Sequence, residues 1–99
     1  MGDRLKGKVA IITGGNSGIG ESTGRLFAEE GARVVLMARR EEQGQAVANS
    51  ICESGGEAAF VGCDVGDHES VSSAVQKAAD QWGRVDLLFN NAGGGAGSS

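Results

Sequence analysis

Thr13-Gly14-Gly15-Asn16-Ser17-Gly18-Ile19-Gly20 is the stretch whose reading decides the fold. An apolar run, Val9-Ala10-Ile11-Ile12, comes before it, and a segment with helical spacing, Ile19, Thr23, Leu26 and Phe27, comes after it. A strand, a glycine-rich turn and a helix in this order bring backbone N–H groups and the positive end of a helix dipole to one point, and such a point binds phosphate. The glycines have separate uses. Gly14 lets the chain turn sharply off the strand, Gly18 lets a pyrophosphate approach the backbone, and Gly20 lets the helix pack closely on the sheet. Two kinds of phosphate loop compete for this stretch. Gly15 to Gly20 has the G-x-x-x-x-G spacing of a nucleoside-triphosphate loop, but Glu21 and Ser22 follow. A carboxylate where a lysine should meet the phosphates would repel them, so that reading fails. A dinucleotide loop remains, with the spacing T-G-x-x-x-G-x-G in place of G-x-G-x-x-G.

Outward from this turn, the pattern alternates strands and helices. The first strand covers about Lys8–Thr13 and the first helix about Gly18–Glu30, with Gly31 where a left-handed C-terminal cap belongs. Arg33 to Ala38 is a short continuous apolar run of the kind buried on both faces of a parallel sheet. Glu41 to Ser54 carries Val47, Ala48, Ile51 and Cys52 at helical spacing and is closed by Gly55-Gly56; Ala58 to Cys63 reads as a third strand. Asp67 suits the N-cap of a third helix whose apolar stripe is Val71, Ala74, Val75, Ala78 and Trp82, with Gly83 at its end. Val85 to Phe89 reads as a fourth strand, followed by Asn90-Asn91-Ala92-Gly93. Such alternation implies right-handed βαβ units, hence an α/β protein with a Rossmann-type, doubly wound parallel sheet in the order 3-2-1-4, truncated after its fourth strand. Residues 1–99 are expected to be the N-terminal part of a single dinucleotide-binding domain, with 94–99 a flexible tail.

Ligands in open α/β sheets bind beyond the C-terminal ends of the strands, so the residues there are the candidates. At the end of the second strand, an acidic residue would grip the ribose 2′-hydroxyl of NAD. This chain has Arg39-Arg40 instead. A guanidinium fork matches a phosphate and suits the 2′-phosphate of NADP, so NADP is the expected coenzyme in preference to NAD. For Arg40 a solvated partnership with Glu41 and Glu42 stands equally open. Cys63 reads as a small buried apolar residue, and His68, with no nucleophile near it in sequence, as solvated. Cys52 and Cys63 form no metal or redox spacing, and no metal site is expected.

The glycine turn, together with Asn90-Asn91-Ala92-Gly93 at the end of the fourth strand, resembles the paired motifs of the short-chain dehydrogenase/reductase family over residues 8 to 95. The resemblance implies coenzyme contacts at Gly14, Asn16, Ser17, Gly18, Ile19 and Gly20 in the loop. It also implies that Asp64 and Val65 lie along the adenine ring, although a plain turn accounts for this pair equally well. Asn90, Ala92 and Gly93 would contact the coenzyme ribose and support the sheet. The reaction implied is hydride transfer between nicotinamide and an alcohol or carbonyl carbon, catalysed in the family by a serine, a tyrosine and a lysine beyond the second motif. These 99 residues contain no tyrosine, so the acid/base that protonates the carbonyl oxygen is not among them and no catalytic residue is assigned. The chain therefore reads as the coenzyme-binding half of a longer enzyme, with a non-catalytic dinucleotide-binding module as the alternative. The family usually associates through later helices, so the whole enzyme is expected to be a homo-oligomer. An uncovered apolar fourth strand would make residues 1–99 alone prone to self-association.

Composition narrows the partners. The net charge of −4 offers no basic stripe for nucleic acid. Met1 to Lys6 has no apolar segment of a signal peptide, and no run approaches the ~20 apolar residues of a membrane span. Two cysteines without a secretion signal fit a reducing cytoplasm. With 18 glycines, far above the ordinary share of about 7%, the chain still holds ordinary apolar content, and the glycines fall mostly at element ends as turns.

Overall fold

The structure, a computed structural model, describes residues 4–14, 18–64 and 66–90. Asn16, Ser17, Val65, Ala92, Gly93 and the segment 94–99 lie outside the described residues. Seven elements alternate along the chain: β1 (Val9–Thr13), α1 (Gly18–Glu29), β2 (Arg33–Ala38), α2 (Glu41–Glu53), β3 (Glu57–Gly62), α3 (His68–Trp82) and β4 (Leu87–Asn90). The strands form one sheet in the order β3-β2-β1-β4, with every neighbouring pair parallel. Ile11 of β1 stands between Val35 of β2 and Leu88 of β4, and Val35 in turn faces Ala59 of β3. This is the parallel, doubly wound order that the sequence pattern implies.

Side chains alternate across the sheet, so each central strand supplies two cores. Ala10, Ile12, Val34 and Leu36 face α1 and α2, meeting Val47, Ala48 and Ile51, with Phe27 and Phe60 packed at the edge. Val9, Ile11, Val35 and Met37 face the other way onto Ala74 and Ala78 of α3, flanked by Val75 and Trp82. Every residue of β1 is buried, which is why its sequence shows no polar alternation.

Helix α1 forms where its spacing places it and, as the reading of Gly20 implies, lays its glycine face on the sheet. Gly20 and Gly24 are its buried residues, whereas Ile19 and Leu26 point outward at 68% and 54% exposure. The sheet side of α1 demands small residues: a Cβ at Gly24 would stand 3.3 Å from Leu36 Cδ2 and 3.4 Å from Ile12 Cδ1. The helix backbone thus lies directly on the strands, and the larger apolar residues are turned to its flank. Gly44 has the same role on α2, where a Cβ would overlap the Phe60 ring.

Element ends agree with the sequence reading to within two residues. Gly31 is left-handed at φ 98°, and Gly83 ends α3 in the same conformation at φ 82°. Asp67 caps α3, its Oδ1 accepting the Glu69 N–H at 3.0 Å. Strand β3 begins and ends one residue earlier than its apolar run suggests. Strand β4 begins at Leu87, not Val85, because the Asp86 carboxylate takes over part of the ladder. Asp86 Oδ2 accepts the Val9 N–H at 2.9 Å, while the Asp86 N–H donates to the Val9 carbonyl at 2.9 Å. Arg84 holds the other carboxylate oxygen through Nη2 at 2.8 Å. A side chain thereby joins the start of β1 to the segment that leads into β4.

Two stability outcomes follow from these contacts. Gly31→Ala puts a side chain at positive φ with the Lys6 Cα only 3.0 Å away, and should destabilise the fold by about 1–2 kcal/mol, read from the urea midpoint. The hydrogen bonds from Arg84 and then from Val9 hold the Asp86 carboxyl below its ordinary range. Its contribution is complete above the unfolded-chain value of ~3.9 and is lost as pH falls through the lower folded value. Asp86→Asn should therefore flatten the acid limb of stability against pH, and an unchanged limb would show that other carboxylates govern it.

Candidate coenzyme-binding site

Four parallel strands end on one side of the sheet, and the candidate residues stand at or just beyond these four ends. Thr13, the last residue of β1, is flanked by Met37 of β2 and Asn90 of β4. The chain then leaves β1 through Gly14, which is buried and left-handed at φ 73°, with its N–H donated to the Met37 carbonyl at 2.6 Å. A residue with a Cβ pays strain in that conformation, so the glycine is needed for the turn.

Helix α1 starts at Gly18, aimed outward from this edge. Gly18 and Ile19 are exposed, and nothing among the described residues lies within 4 Å of where a Gly18 side chain would stand. The first N–H groups of a helix have no partner within it. The space beside the Gly18 Cα is open among the described residues, as close approach of a ligand to the backbone there requires. Asn16 and Ser17 of the loop lie outside the described residues.

The next two loops come together. Ala38 of β2 pairs with Gly62 of β3, and the Cys63 N–H extends the ladder to the Ala38 carbonyl at 3.0 Å. That register sets Arg39 beside Asp64, and Arg39 Nε meets Asp64 Oδ1 at 3.3 Å, with the side chains 68% and 52% exposed. Asp64 is fixed in a turn: its Oδ1 accepts the Gly66 N–H and its own N–H donates to Ser70 Oγ, both at 3.0 Å. This arginine–aspartate pair was not visible in sequence, where the two residues are far apart and fall in separate loops. Arg40 is exposed, sits at the N-cap of α2 without a side-chain cap bond, and forms no ion pair with Glu41, Glu42 or another described residue.

Cys63, next to Asp64, is half-buried, and burial followed by the Asp64 charge pushes its thiol up. His68 is exposed at the start of α3. Asn90 lies at the end of β4 with its backbone paired to Thr13, while Ala92, Gly93 and Val65 lie outside the described residues. Among the described residues, no cluster of His, Cys, Asp or Glu could hold a metal ion, and no helix is long and apolar enough to cross a membrane. A recess of about 250 Å³ is lined by Arg25, Ala28, Ile51 and Gly56, at the opposite edge of the sheet. Its arginine is already taken by Glu21 at 2.8 Å and Ser50 at 3.0 Å.

The family model for short chain dehydrogenases matches residues 8–99. The chain belongs to the short-chain dehydrogenase family. Among curated relatives, it is 48% identical over 90 residues to tropinone reductase-like 1 of Erythroxylum coca, a match covering 91% of this chain and 32% of that protein. The chain thus spans about a third of the length of the curated relatives it matches. Among solved structures, a hydroxysteroid dehydrogenase from Escherichia coli superposes with a TM-score of 0.87 at 40% identity, covering 94% of this chain and 40% of that one. A metagenomic short-chain oxidoreductase in complex with NADP gives 0.81 at 38% identity, covering 86% of this chain and 38% of that one.

The two thiols should separate chemically. Iodoacetamide at about pH 8 should modify exposed Cys52 before Cys63, whose thiolate is suppressed, as followed by mass spectrometry of peptides. Equal rates would contradict the burial of Cys63.

Proposed function

We propose that this chain is the coenzyme-binding part of a short-chain oxidoreductase that uses NADP(H) in preference to NAD(H). The observation that carries this reading is Arg39-Arg40 at the end of β2, where a carboxylate would be wanted to hold the hydroxyls of NAD. Both arginines are exposed at the strand edge and available to a 2′-phosphate. Arg39 is the stronger donor of the two, being nearest the strand. The NADP complex of a related oxidoreductase supports the direction of this preference.

The chain's own residues divide the work of holding such a ligand. Gly14, Asn16, Ser17, Gly18, Ile19 and Gly20 would carry the pyrophosphate on the turn and on the first N–H groups of α1. Asp64 and Val65 would border the adenine. Asn90, Ala92 and Gly93 would meet the ribose on the nicotinamide side. A bound nicotinamide coenzyme would supply or accept the hydride exchanged with a small alcohol or carbonyl compound. None of the 99 residues is assigned the proton transfer, since the family's acid/base is a tyrosine and the chain has none. A dinucleotide-binding module without catalysis is the second reading. Both readings place residues 1–99 within one dinucleotide-binding domain of a cytoplasmic protein, and both begin with coenzyme binding.

Isothermal titration with NADPH and NADH addresses that shared step. A charge-assisted contact is worth about 1.5–3 kcal/mol, so NADPH should bind at least about tenfold more tightly, and Arg39→Ala should remove most of the difference. Equal affinities, or tighter NADH, would overturn the preference.

A further inference from the structure

Arg39 and Asp64 are paired across two loops, and the geometry points to Asp64 as a positioning residue for Arg39 that restrains the preference for NADP over NAD. The inference rests on the assignment of Arg39 to the 2′-phosphate and deepens it by naming what competes for that guanidinium.

The two partners are unequal in freedom. The Asp64 carboxylate is held in a tight turn by the Gly66 N–H at 3.0 Å, and the Asp67 N–H closes the same turn on the Asp64 carbonyl at 2.9 Å. Ser70 Oγ accepts the Asp64 N–H at 3.0 Å and ties the turn to α3. Arg39 is a long side chain, 68% exposed, so it is the partner that moves. The contact runs from Nε to Oδ1 at 3.3 Å, which is long for a charge-assisted bond and leaves the guanidinium available to a better acceptor. A phosphate dianion is such an acceptor, and it competes with Asp64 for the same group.

The pair therefore serves both coenzymes differently. When the ribose carries only hydroxyls, Asp64 keeps Arg39 paired, and NAD is accepted without an isolated cation at the site. When the ribose carries a 2′-phosphate, the phosphate has to draw Arg39 away from Asp64. Part of the gain from the new contact is spent on breaking the old one, and discrimination shrinks accordingly. Arg40 has no ion-pair partner among the described residues and escapes this restraint.

The test uses the intact protein at low ionic strength, titrated calorimetrically with adenosine 5′-monophosphate and adenosine 2′,5′-bisphosphate. These probes differ only in the 2′-phosphate, so the ratio of their dissociation constants isolates that group from adenine contacts and from general effects on the fold. Asp64→Asn removes the charge but keeps an oxygen for the Gly66 N–H, and Asp64→Ser gives an independent second variant. The ratio should shift about two- to fivefold towards the bisphosphate in either variant, the range expected for an exposed ion pair. In an Arg39→Ala background the same change should leave the ratio nearly unmoved. A ratio that stays constant or falls in both Asp64 variants overturns the inference. A shift as large in the Arg39→Ala background also overturns it, since Asp64 would then act by direct repulsion. If Arg39→Ala alone leaves the ratio at the wild-type value, the assignment of Arg39 to the phosphate fails as well. If that variant lowers the ratio while the Asp64 variants do nothing, the assignment stands and only the role of Asp64 is lost.

Discussion

The burial of β1 on all sides is the constraint from which the rest of the structure follows. Its backbone is paired to β2 on one side and β4 on the other, and its side chains fill the cores on both faces of the sheet. A parallel strand in that position needs helices above and below it, and each crossover must return the chain to the same edge. The first crossover begins at Gly14. Because the strand is buried to its last residue, the chain has no room for a gradual bend and has to turn at once, through a left-handed residue.

Small residues make the close layering possible. Gly24 and Gly44 allow α1 and α2 to lie with their backbones against Ile12, Leu36 and Phe60, where a methyl group would already crowd its neighbours. On the outside of α1, Ile19 and Leu26 are exposed, and on the opposite face of the sheet Leu88 of β4 is 57% exposed. Leu88 pairs with Ile11 in the sheet, yet no described element covers it as α3 covers Val35 and Met37.

Charge is distributed with a different logic at the two edges of the sheet. At the N-terminal edge, Asp86 replaces a backbone acceptor and is satisfied by Val9 and Arg84, so its carboxylate is part of the ladder. At the C-terminal edge, Arg39 and Asp64 face water and are joined by a single long contact. The first arrangement holds strands together. The second is weak enough to be exchanged for a ligand, which is what a binding edge requires.

The order of elements, their parallel pairing and the glycine exit were all legible in the chain itself, because each is written in local chemistry. Continuous apolar runs such as Arg33–Ala38 identify strands buried on both faces; Gly31, Asp67 and Gly83 mark helix ends by conformational preference alone. The Gly20 contact of α1 with the sheet was legible, but the exposure of Ile19 and Leu26 was not, since their spacing is that of an apolar stripe and only the distance to the sheet decides what is inside. Nor was the start of β4, where a carboxylate performs the work of a carbonyl. The joining of Arg39 to Asp64 depends on the β2–β3 register, a long-range property that places the ends of two strands side by side. Sequence by itself determined the fold, the glycine turn after β1 and the basic end of β2. Tertiary structure alone decided which charges meet, because contacts between separate loops are set by strand pairing and not by any signal within either loop.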